Sequence, residues 1–201
     1  FASTLLSVIE KFKPEYIAVS FDLAGPTFRH LEYKEYKATR IKAPDEFYGQ
    51  IPLVRKVVEA FNIPIYEKEG YEADDVIGTI AKQAENKSLE TIIVTGDLDT
   101  LQLINKKTKV YTMKRGLSDS VIYDEDRVKE RYGLEPDQII DLKGLRGDPS
   151  DNIPGVKGIG EKTAASLLQK YGSIENVYQN IGKVKESIRE RDNHICQLCG
   201  K

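Results

Sequence analysis

Short apolar runs that end in an aspartate alternate with helical patterns in the first part of this chain. YIAVSF (residues 16–21) leads directly into Asp22, and TIIVTG (residues 91–96) leads into Asp97. Short runs rich in β-branched and aromatic residues are typical of buried strands. Because helical patterns separate these runs, the sequence predicts an α/β fold with a mostly parallel central sheet flanked by helices.

The other segments before residue 124 fit the same alternation. FASTLLSVIEKFK has helical apolar spacing and stops before Pro14, and Pro44 suits the first turn of a helix that runs to about Phe61. PIYEK is predicted as a short strand, and EADDVIGTIAKQAE (residues 72–85) as an amphipathic helix. A short helix to Ile104 precedes KVYTM and SVIYD, a strand pair around RGLSD. Residues 25–44 form a polar connection that we expect to be mobile.

The chain divides into three predicted parts. Residues 1–123 form the α/β core, residues 124–190 form a lobe with helical pattern throughout, and residues 191–201 form an unrelated tail. Of 201 residues, 40% are apolar and 31% charged, as in globular proteins. No run approaches the ~18 apolar residues of a membrane span, so no membrane partner is expected. Both cysteines, Cys196 and Cys199, lie in the tail, which predicts a reducing, cytoplasmic setting.

Carboxylates are concentrated at the ends of the predicted strands, where ligands bind in open α/β sheets. Three strand ends would deliver six acids to one edge, and two more precede a glycine-rich hairpin: Asp22, Glu72, Asp74, Asp75, Asp97, Asp99, Asp148 and Asp151. Like charges this close need a cation, and Mg²⁺ prefers such oxygen ligands. Two ions about 4 Å apart would clamp a phosphodiester. Each motif alone also fits a helix-dipole or capping role, so only the combination predicts a metal cluster.

The hairpin itself is IPGVKGIGEKTA (residues 153–164). Its glycines permit close backbone approach, and successive N–H groups before a helix N-terminus can bind phosphate. A plain helix–turn–helix connector is the alternative. The candidate DNA-backbone contacts are Gly155, Val156, Lys157, Gly158, Ile159, Gly160, Lys162 and Thr163.

A basic segment, FRHLEYKEYKATRIK (residues 28–42), follows Asp22 and is called the basic loop below. Its cations alternate with Tyr33 and Tyr36, and they are Arg29, Lys34, Lys37, Arg40 and Lys42. Cations for phosphates and rings for stacking are what a single-stranded nucleic-acid passage requires. A solvated charged face is the simpler alternative.

Five motifs in this order closely resemble the 5′-nuclease domain of bacterial DNA polymerase I and, more broadly, the flap endonuclease family. They are FDLAGPTFRH, YKEYKATR, GYEADDVIGTIA, VTGDLDTLQLI and LKGLRGDPSDNIPGVKGIGEKTAASLLQKYGS, and the resemblance covers about residues 1–190. It implies a PIN-like fold and a metal-dependent 5′-3′ exonuclease and flap endonuclease that acts in repair and replication. Hydrolysis would use two Mg²⁺ ions, or Mn²⁺, and a metal-activated water.

The resemblance also implies roles for residues and partners. The eight acids match the family's metal site, and Tyr36, Lys37 and Arg40 match an arch over it, where Lys37 and Arg40 would stabilise the scissile phosphate. The hairpin matches a helix–hairpin–helix element that holds duplex backbone and often K⁺. The implied partners are 5′-flap, nicked or junction DNA and a fused polymerase domain, for a monomer beside the bacterial nucleoid.

Two departures from the family pattern leave alternatives open. Family members begin with a further strand that carries another metal aspartate, so a non-catalytic fragment that binds duplex or junction DNA is the second hypothesis. The third hypothesis is that the acid cluster is the site of a phosphatase or an RNA hydrolase with a related α/β fold. The tail RERDNHICQLCGK resembles the start of an HNH nuclease module. In such a module the CxxC motif provides half of a zinc site, and His194 is a further candidate ligand. The alternative is that the tail is reduced and disordered.

Overall fold

A computed structural model of the chain describes residues 1–113 and 120–185. The turn RGLSD and the tail with His194, Cys196 and Cys199 lie outside the described residues. The first part alternates helices and strands in the order α1 (Ala2–Phe12), β1 (Val19–Ser20), α2 (Phe28–Glu32), α3 (Asp45–Ala60), β2 (Ile65–Tyr66), α4 (Ala73–Asn86), β3 (Thr91–Val94), a 3₁₀ helix (Leu98–Leu103), β4 (Thr108–Met113) and β5 (Ser120–Tyr123).

The predicted α/β alternation is confirmed, and two of the three strand pairings in this part are parallel. β1 pairs with β2 and β3 with β4 in parallel, whereas β4 and β5 are antiparallel. Among the described residues the strands form separate two- and three-stranded sheets, and α4 contacts both β1 and β3. β1 is shorter than the predicted strand because it pairs only with the two residues of β2.

The second part contains α5 (Glu125–Tyr132), α6 (Gln138–Arg146), β6 (Gly147–Asp148), β7 (Ile153–Pro154), α7 (Glu161–Tyr171) and α8 (Ile174–Gln179). The helical pattern predicted after Tyr123 is interrupted where the predicted glycine-rich hairpin begins. There β6 and β7 form an antiparallel ribbon, in which Gly147 faces Pro154 and Asp148 faces Ile153. A Cβ at Gly155 would lie 2.2 Å from the Arg146 carbonyl carbon, so the ribbon closes only because glycine has no side chain.

Two hydrophobic cores hold the fold together. The larger contains Leu101 and Val110 from the α/β part and Leu142, Leu145 and Leu168 from the helical part, so the two parts share one core. The smaller core lies beside β1 and β2. It is built on three buried side chains, Leu5, Val58 and Ile63.

The basic loop lies within residues 25–44, the polar connection whose mobility stays a prediction. It contains α2 and a run of turns, and it is hydrogen-bonded to residues far along the chain. Lys37 N donates to Asp151 O at 2.9 Å, and Asn152 Nδ2 donates to Glu35 O at 2.7 Å. These distant contacts join the loop to the β6–β7 region, and its own composition does not encode them. None of the helices in residues 1–113 and 120–185 has the length and apolar character needed to cross a membrane.

Candidate metal centre and basic loop

The first acids are positioned where β1 ends and α4 begins. Glu72 is the N-cap of α4, and its backbone N–H donates to Asp75 Oδ2 at 2.9 Å. Asp22 follows β1, and its Oδ1 accepts from Ala73 N at 2.7 Å. Free N–H groups at a helix start favour carboxylates, which explains why these acids converge here.

The end of β3 supplies the next acids. Asp97 caps the 3₁₀ helix by accepting from Asp99 N at 2.9 Å. Burial, together with the neighbouring carboxylates of Asp97, Asp22 and Asp99, raises the pKa of Asp74 to about 6. Asp74 therefore lies between the acids of the two strand ends, and such perturbed carboxyls are typical of functional sites.

The β6–β7 ribbon brings the helical part to the same place. One carboxylate oxygen each of Asp99, Asp148 and Asp151 lies within 4.8 Å of the other two, and Asp148 is buried. Burial raises the pKa of Asp99 despite its contact with Lys143, and the charges of Asp97 and Asp148 add to the effect. An all-oxygen set of carboxylates fits a hard divalent cation such as Mg²⁺ or Mn²⁺.

Lys143 is the site residue that sequence reasoning missed. From the last turn of α6, its Nζ donates to Asp99 and also to Asp148 Oδ2, the latter at 2.6 Å. Burial alone would raise the pKa of Asp148, but hydrogen bonds from Lys143 and Ser150 lower it to about 2. The only sequence signal is a lysine five residues before the aspartate in KGLRGD, and this spacing alone does not distinguish it from the chain's other cations.

The three residues predicted to form an arch all contact the acids. Lys37 Nζ lies 2.6 Å from Glu72 Oε1, and an Arg40 guanidinium nitrogen lies 2.6 Å from Asp151 Oδ1. The Tyr36 hydroxyl donates to Glu72 Oε2 at 3.1 Å and to Asp151 Oδ2 at 3.0 Å. Burial and these two carboxylates raise the pKa of Tyr36, so its hydroxyl stays protonated. Because Tyr36 is buried, its ring does not offer the stacking surface that the sequence suggested.

Arg29, a predicted DNA contact, is also bound to an acid of the cluster in this structure. Its guanidinium forms a bidentate pair with Asp75, with distances of 2.7 and 2.8 Å, and lowers the pKa of that carboxyl. Lys34 is exposed. Lys42 is exposed as well, and its Nζ lies 3.2 Å from Asp45 and 5.6 Å from the centre of the Tyr48 ring. Among the five loop cations, three are thus bound to the acid cluster itself.

The hairpin glycines serve two different purposes. Gly155 packs against the chain's own backbone at Arg146 and Gly147, as described above. Gly158 has a left-handed φ of 84°, and both it and Gly160 are exposed, with open space where a side chain would be. Val156, Lys157 and Lys162 are exposed beside them, whereas Ile159 packs against the larger core. The backbone at Gly158 and Gly160 therefore has free space beside it, whereas Gly155 is exposed but packs on one side against the chain's own backbone.

Comparison with known families accounts for both halves of this architecture. Residues 1–133 match the family described as "5′-3′ exonuclease, N-terminal resolvase-like domain", and residues 134–197 match "5′-3′ exonuclease, C-terminal SAM fold". The chain belongs to the 5′-3′ exonuclease family. The resemblance identified from the five motifs is thereby confirmed.

Curated relatives of this exonuclease-family chain are DNA polymerases I. The chain is 51% identical over 193 residues to that of Caldicellulosiruptor bescii, covering 95% of this chain and 23% of the relative. It is 47% identical over 195 residues to that of Bacillus subtilis, covering 94% and 22%. The chain thus spans about a fifth of the length of these relatives.

Solved structures confirm the exonuclease fold. A bacteriophage T5 flap endonuclease in a pseudo-enzyme–product complex with DNA and metal ions superposes with a TM-score of 0.74 at 23% identity, covering 89% of this chain and 68% of that one. The T5 5′-exonuclease with bound zinc gives 0.73 at 24% identity, covering 87% and 67%. The catalytic core of Rad2 with a DNA substrate gives 0.56 at 21% identity, covering 89% and 58%.

Proposed function

We propose that this exonuclease-family chain is a structure-specific 5′-3′ exonuclease and flap endonuclease that hydrolyses DNA phosphodiesters. The observation that carries the proposal is the convergence of acids from two strand ends and the β6–β7 ribbon under the basic loop. An acid cluster alone would suit many metal-binding proteins. Cations poised beside the same acids are what a phosphodiester substrate additionally requires.

Two Mg²⁺ ions, with Mn²⁺ as a substitute, are the proposed cofactors. Asp99, Asp148 and Asp151 would hold one ion, since their oxygens are already within 4.8 Å of one another. The acids around Asp74 would hold the other, directly or through water: Asp22, Glu72, Asp74, Asp75 and Asp97. Bound divalent ions supply the positive charge that activates water and stabilises a phosphodiester as its bond breaks.

The basic loop is proposed to act on the substrate phosphate. Lys37 and Arg40 now pair with Glu72 and Asp151, and they would turn to the scissile phosphate once ions neutralise those carboxylates. Tyr36 would stay as a neutral donor between the same two acids. Arg29, Lys34 and Lys42 are proposed to attract the single strand through its charge.

The hairpin is proposed to hold duplex DNA by its backbone. The exposed backbone at Gly158 and Gly160, the adjacent α7 N-terminus and the side chains of Lys157 and Lys162 suit phosphates without reading sequence. The contact set extends over Gly155, Val156, Ile159 and Thr163, and K⁺ is a proposed hairpin ligand. Substrates would be 5′-flap, nicked or junction duplexes.

The relatives suggest the wider setting. Because DNA polymerase I proteins are several times longer than this chain, we propose a fused polymerase domain in the intact protein and a role in repair and replication. A monomer in the bacterial cytoplasm, associated with the nucleoid, completes the proposal.

Asp97→Asn tests the proposed function. It keeps the cap of the 3₁₀ helix through its amide oxygen but removes a metal charge, so we expect Mg²⁺-dependent cleavage of a 5′-labelled flap duplex to fall on the order of 10²-fold or more. Binding of the flap duplex, measured by mobility shift in EDTA, should change little. Asp137→Asn, the same change at the exposed N-cap of α6, is the matched control. An unchanged cleavage rate in Asp97→Asn would contradict the proposed metal site.

Binding of junction DNA without cleavage is the second candidate. Four basic side chains, Arg29, Lys37, Arg40 and Lys143, already pair with acids of the cluster, so half of its eight carboxylates could be offset without ions. This function would give salt-sensitive binding to junction DNA and no product that depends on Mg²⁺ in the wild-type chain.

A further inference from the structure

The basic loop is attached to the β6–β7 ribbon by contacts that involve no charged group. Asn152 Nδ2 donates to the backbone oxygen of Glu35 at 2.7 Å, across 117 residues of sequence. The Tyr33 hydroxyl donates to Asn152 O at 3.3 Å, and Lys37 N donates to Asp151 O at 2.9 Å. The turns that carry Lys37 are therefore hydrogen-bonded to the turn that carries Asp151.

Asn152 combines two properties at this position. Its φ is 57°, in the left-handed region where asparagine is among the residues best tolerated apart from glycine. Its backbone N–H contributes to the turn between β6 and β7 by donating to Pro149 O at 3.3 Å. Glycine would satisfy this backbone as well, but only asparagine also supplies a side-chain donor for the loop.

The other contacts between loop and ribbon use groups that the reaction needs. Arg40 donates to Asp151 and to Ser150 O, at 2.6 and 3.3 Å, and Tyr36 donates to Asp151. A metal ion at Asp151 and a phosphate near Arg40 would compete with these contacts. The amide of Asn152 is neutral and binds a backbone oxygen, so this contact can persist when ions and substrate are bound.

We propose that Asn152 is a positioning residue, which holds the basic loop so that Lys37 and Arg40 stay over the acid cluster. The effect on catalysis rests on the proposed nuclease function, whereas the effect on the loop does not. Without the amide, the loop would adopt a wider range of positions. Stabilisation of the transition state would decrease more than the affinity for duplex DNA, because the hairpin is proposed to bind the duplex separately.

Limited digestion with trypsin in EDTA tests the loop directly, because Lys34, Lys37 and Arg40 are all trypsin sites. Asn152→Gly keeps the left-handed backbone and removes the amide. Loss of one hydrogen bond predicts roughly 5-fold faster cleavage within residues 34–40. Asn62→Gly is the matched control, since Asn62 also has a left-handed φ, 54°, but lies after α3 and should leave loop cleavage unchanged. Loop cleavage at the wild-type rate in Asn152→Gly would overturn the proposal, whether or not the protein cuts DNA.

Steady-state cleavage of the flap duplex tests the catalytic consequence. We expect kcat of Asn152→Gly to fall about 5-fold and KM to change less than 2-fold. If trypsin cleaves the loop of Asn152→Gly faster but kcat is unchanged, the proposed positioning role is wrong. If wild type cuts no DNA, the proposed function fails, and the digestion rates still decide whether Asn152 holds the loop.

Discussion

Lys143 reduces the repulsion between carboxylates of the acid cluster in the absence of metal ions. Its ammonium binds both Asp99 and Asp148, and the side chains of Lys143 and Asp148 are only 22% and 11% exposed. Removing one partner of a buried ion pair leaves an uncompensated charge, which costs more than the pair itself contributes. The same ammonium group lies beside the two carboxylates that would also bind a metal ion.

Lys143→Met should therefore destabilise the protein in EDTA by about 3 kcal/mol, and Mg²⁺ should restore more stability to this variant than to wild type. Urea unfolding with and without Mg²⁺ measures both effects. Lys129→Met is the control, because Lys129 pairs with Glu135 on the surface and is 62% exposed. Equal losses in the two variants would show that Lys143 is not holding the cluster.

The acid limb of the stability curve gives a second measurement on the same variant. The folded-state pKa of Asp148 is about 2, below its usual value of 3.8, so its contribution is present above about pH 3.8 and is lost as the pH falls towards 2. In Lys143→Met this loss between pH 4 and 2 should shrink, because the carboxyl has lost its main stabilising partner. If Lys143→Met loses as much stability between pH 4 and 2 as wild type does, the low pKa of Asp148 is due to its hydrogen bonds with Ser150 instead.

At the scale of elements, the β6–β7 ribbon connects the helical part to the acid cluster. It places Asp148 in a strand and Asp151 in the turn, and it depends on the backbones of Gly147 and Gly155 lying in contact. The hairpin that follows has a separate requirement, which is exposed backbone at Gly158 and Gly160. One glycine-rich sequence thus contains a structural half and a candidate binding half.

Gly155→Ala should destabilise the protein by about 2–3 kcal/mol, because the new methyl group would overlap the backbone of Arg146 and Gly147. Gly160→Ala is the matched substitution, since Gly160 has an ordinary φ of −90° and no atom within 4 Å of the added Cβ. It should change the free energy of unfolding by less than about 0.5 kcal/mol. Urea unfolding compares the two, and a similar loss in both would contradict this division of the hairpin.

At the scale of the whole molecule, the two cores differ in size and in what they join. The larger runs from Ala81 to Val184 and crosses the boundary between the two family regions at residues 133 and 134. The smaller, under α1, α3, β1 and β2, has three buried side chains at its centre. Since local stability follows buried apolar contacts, the two regions should not open to the same extent.

Hydrogen exchange followed by mass spectrometry should reveal this difference. In EDTA, we expect amides of α1, β1 and β2 to exchange at least 10-fold faster than those of β3, β4 and α6, while β4 and α6 exchange together. Exchange at one rate throughout would mean that the smaller core opens only with the larger one. A boundary in protection at residue 134 would show that the shared core does not couple the two family regions.

The sequence by itself determined the local elements and the chemical inventory. Periodicity predicted α4 and β3, the motif order identified the family, and strand-end aspartates such as Asp22 and Asp97 marked the acid cluster. These features depend on residues that are only a few positions apart along the chain, so the spacing of residue types in the sequence shows them. The same spacing suggested a mobile connection over residues 25–44 and a DNA contact at Arg29, and both stay predictions. It gave no sign of the hydrogen bonds that join the basic loop to Asp151 and Asn152, or of the Arg29–Asp75 pair.

Which groups meet depends on contacts between residues far apart in the sequence. Lys143 reaches Asp99 across 44 residues, Arg29 reaches Asp75 across 46, and Asn152 reaches Glu35 across 117. Lys143 and Asn152 reach the α/β part from the helical part, whereas Arg29 and Asp75 both belong to the α/β part; no local pattern encodes any of these contacts. An acid cluster therefore shows in the sequence as a set of carboxylates, but the cations that neutralise it are selected by the fold.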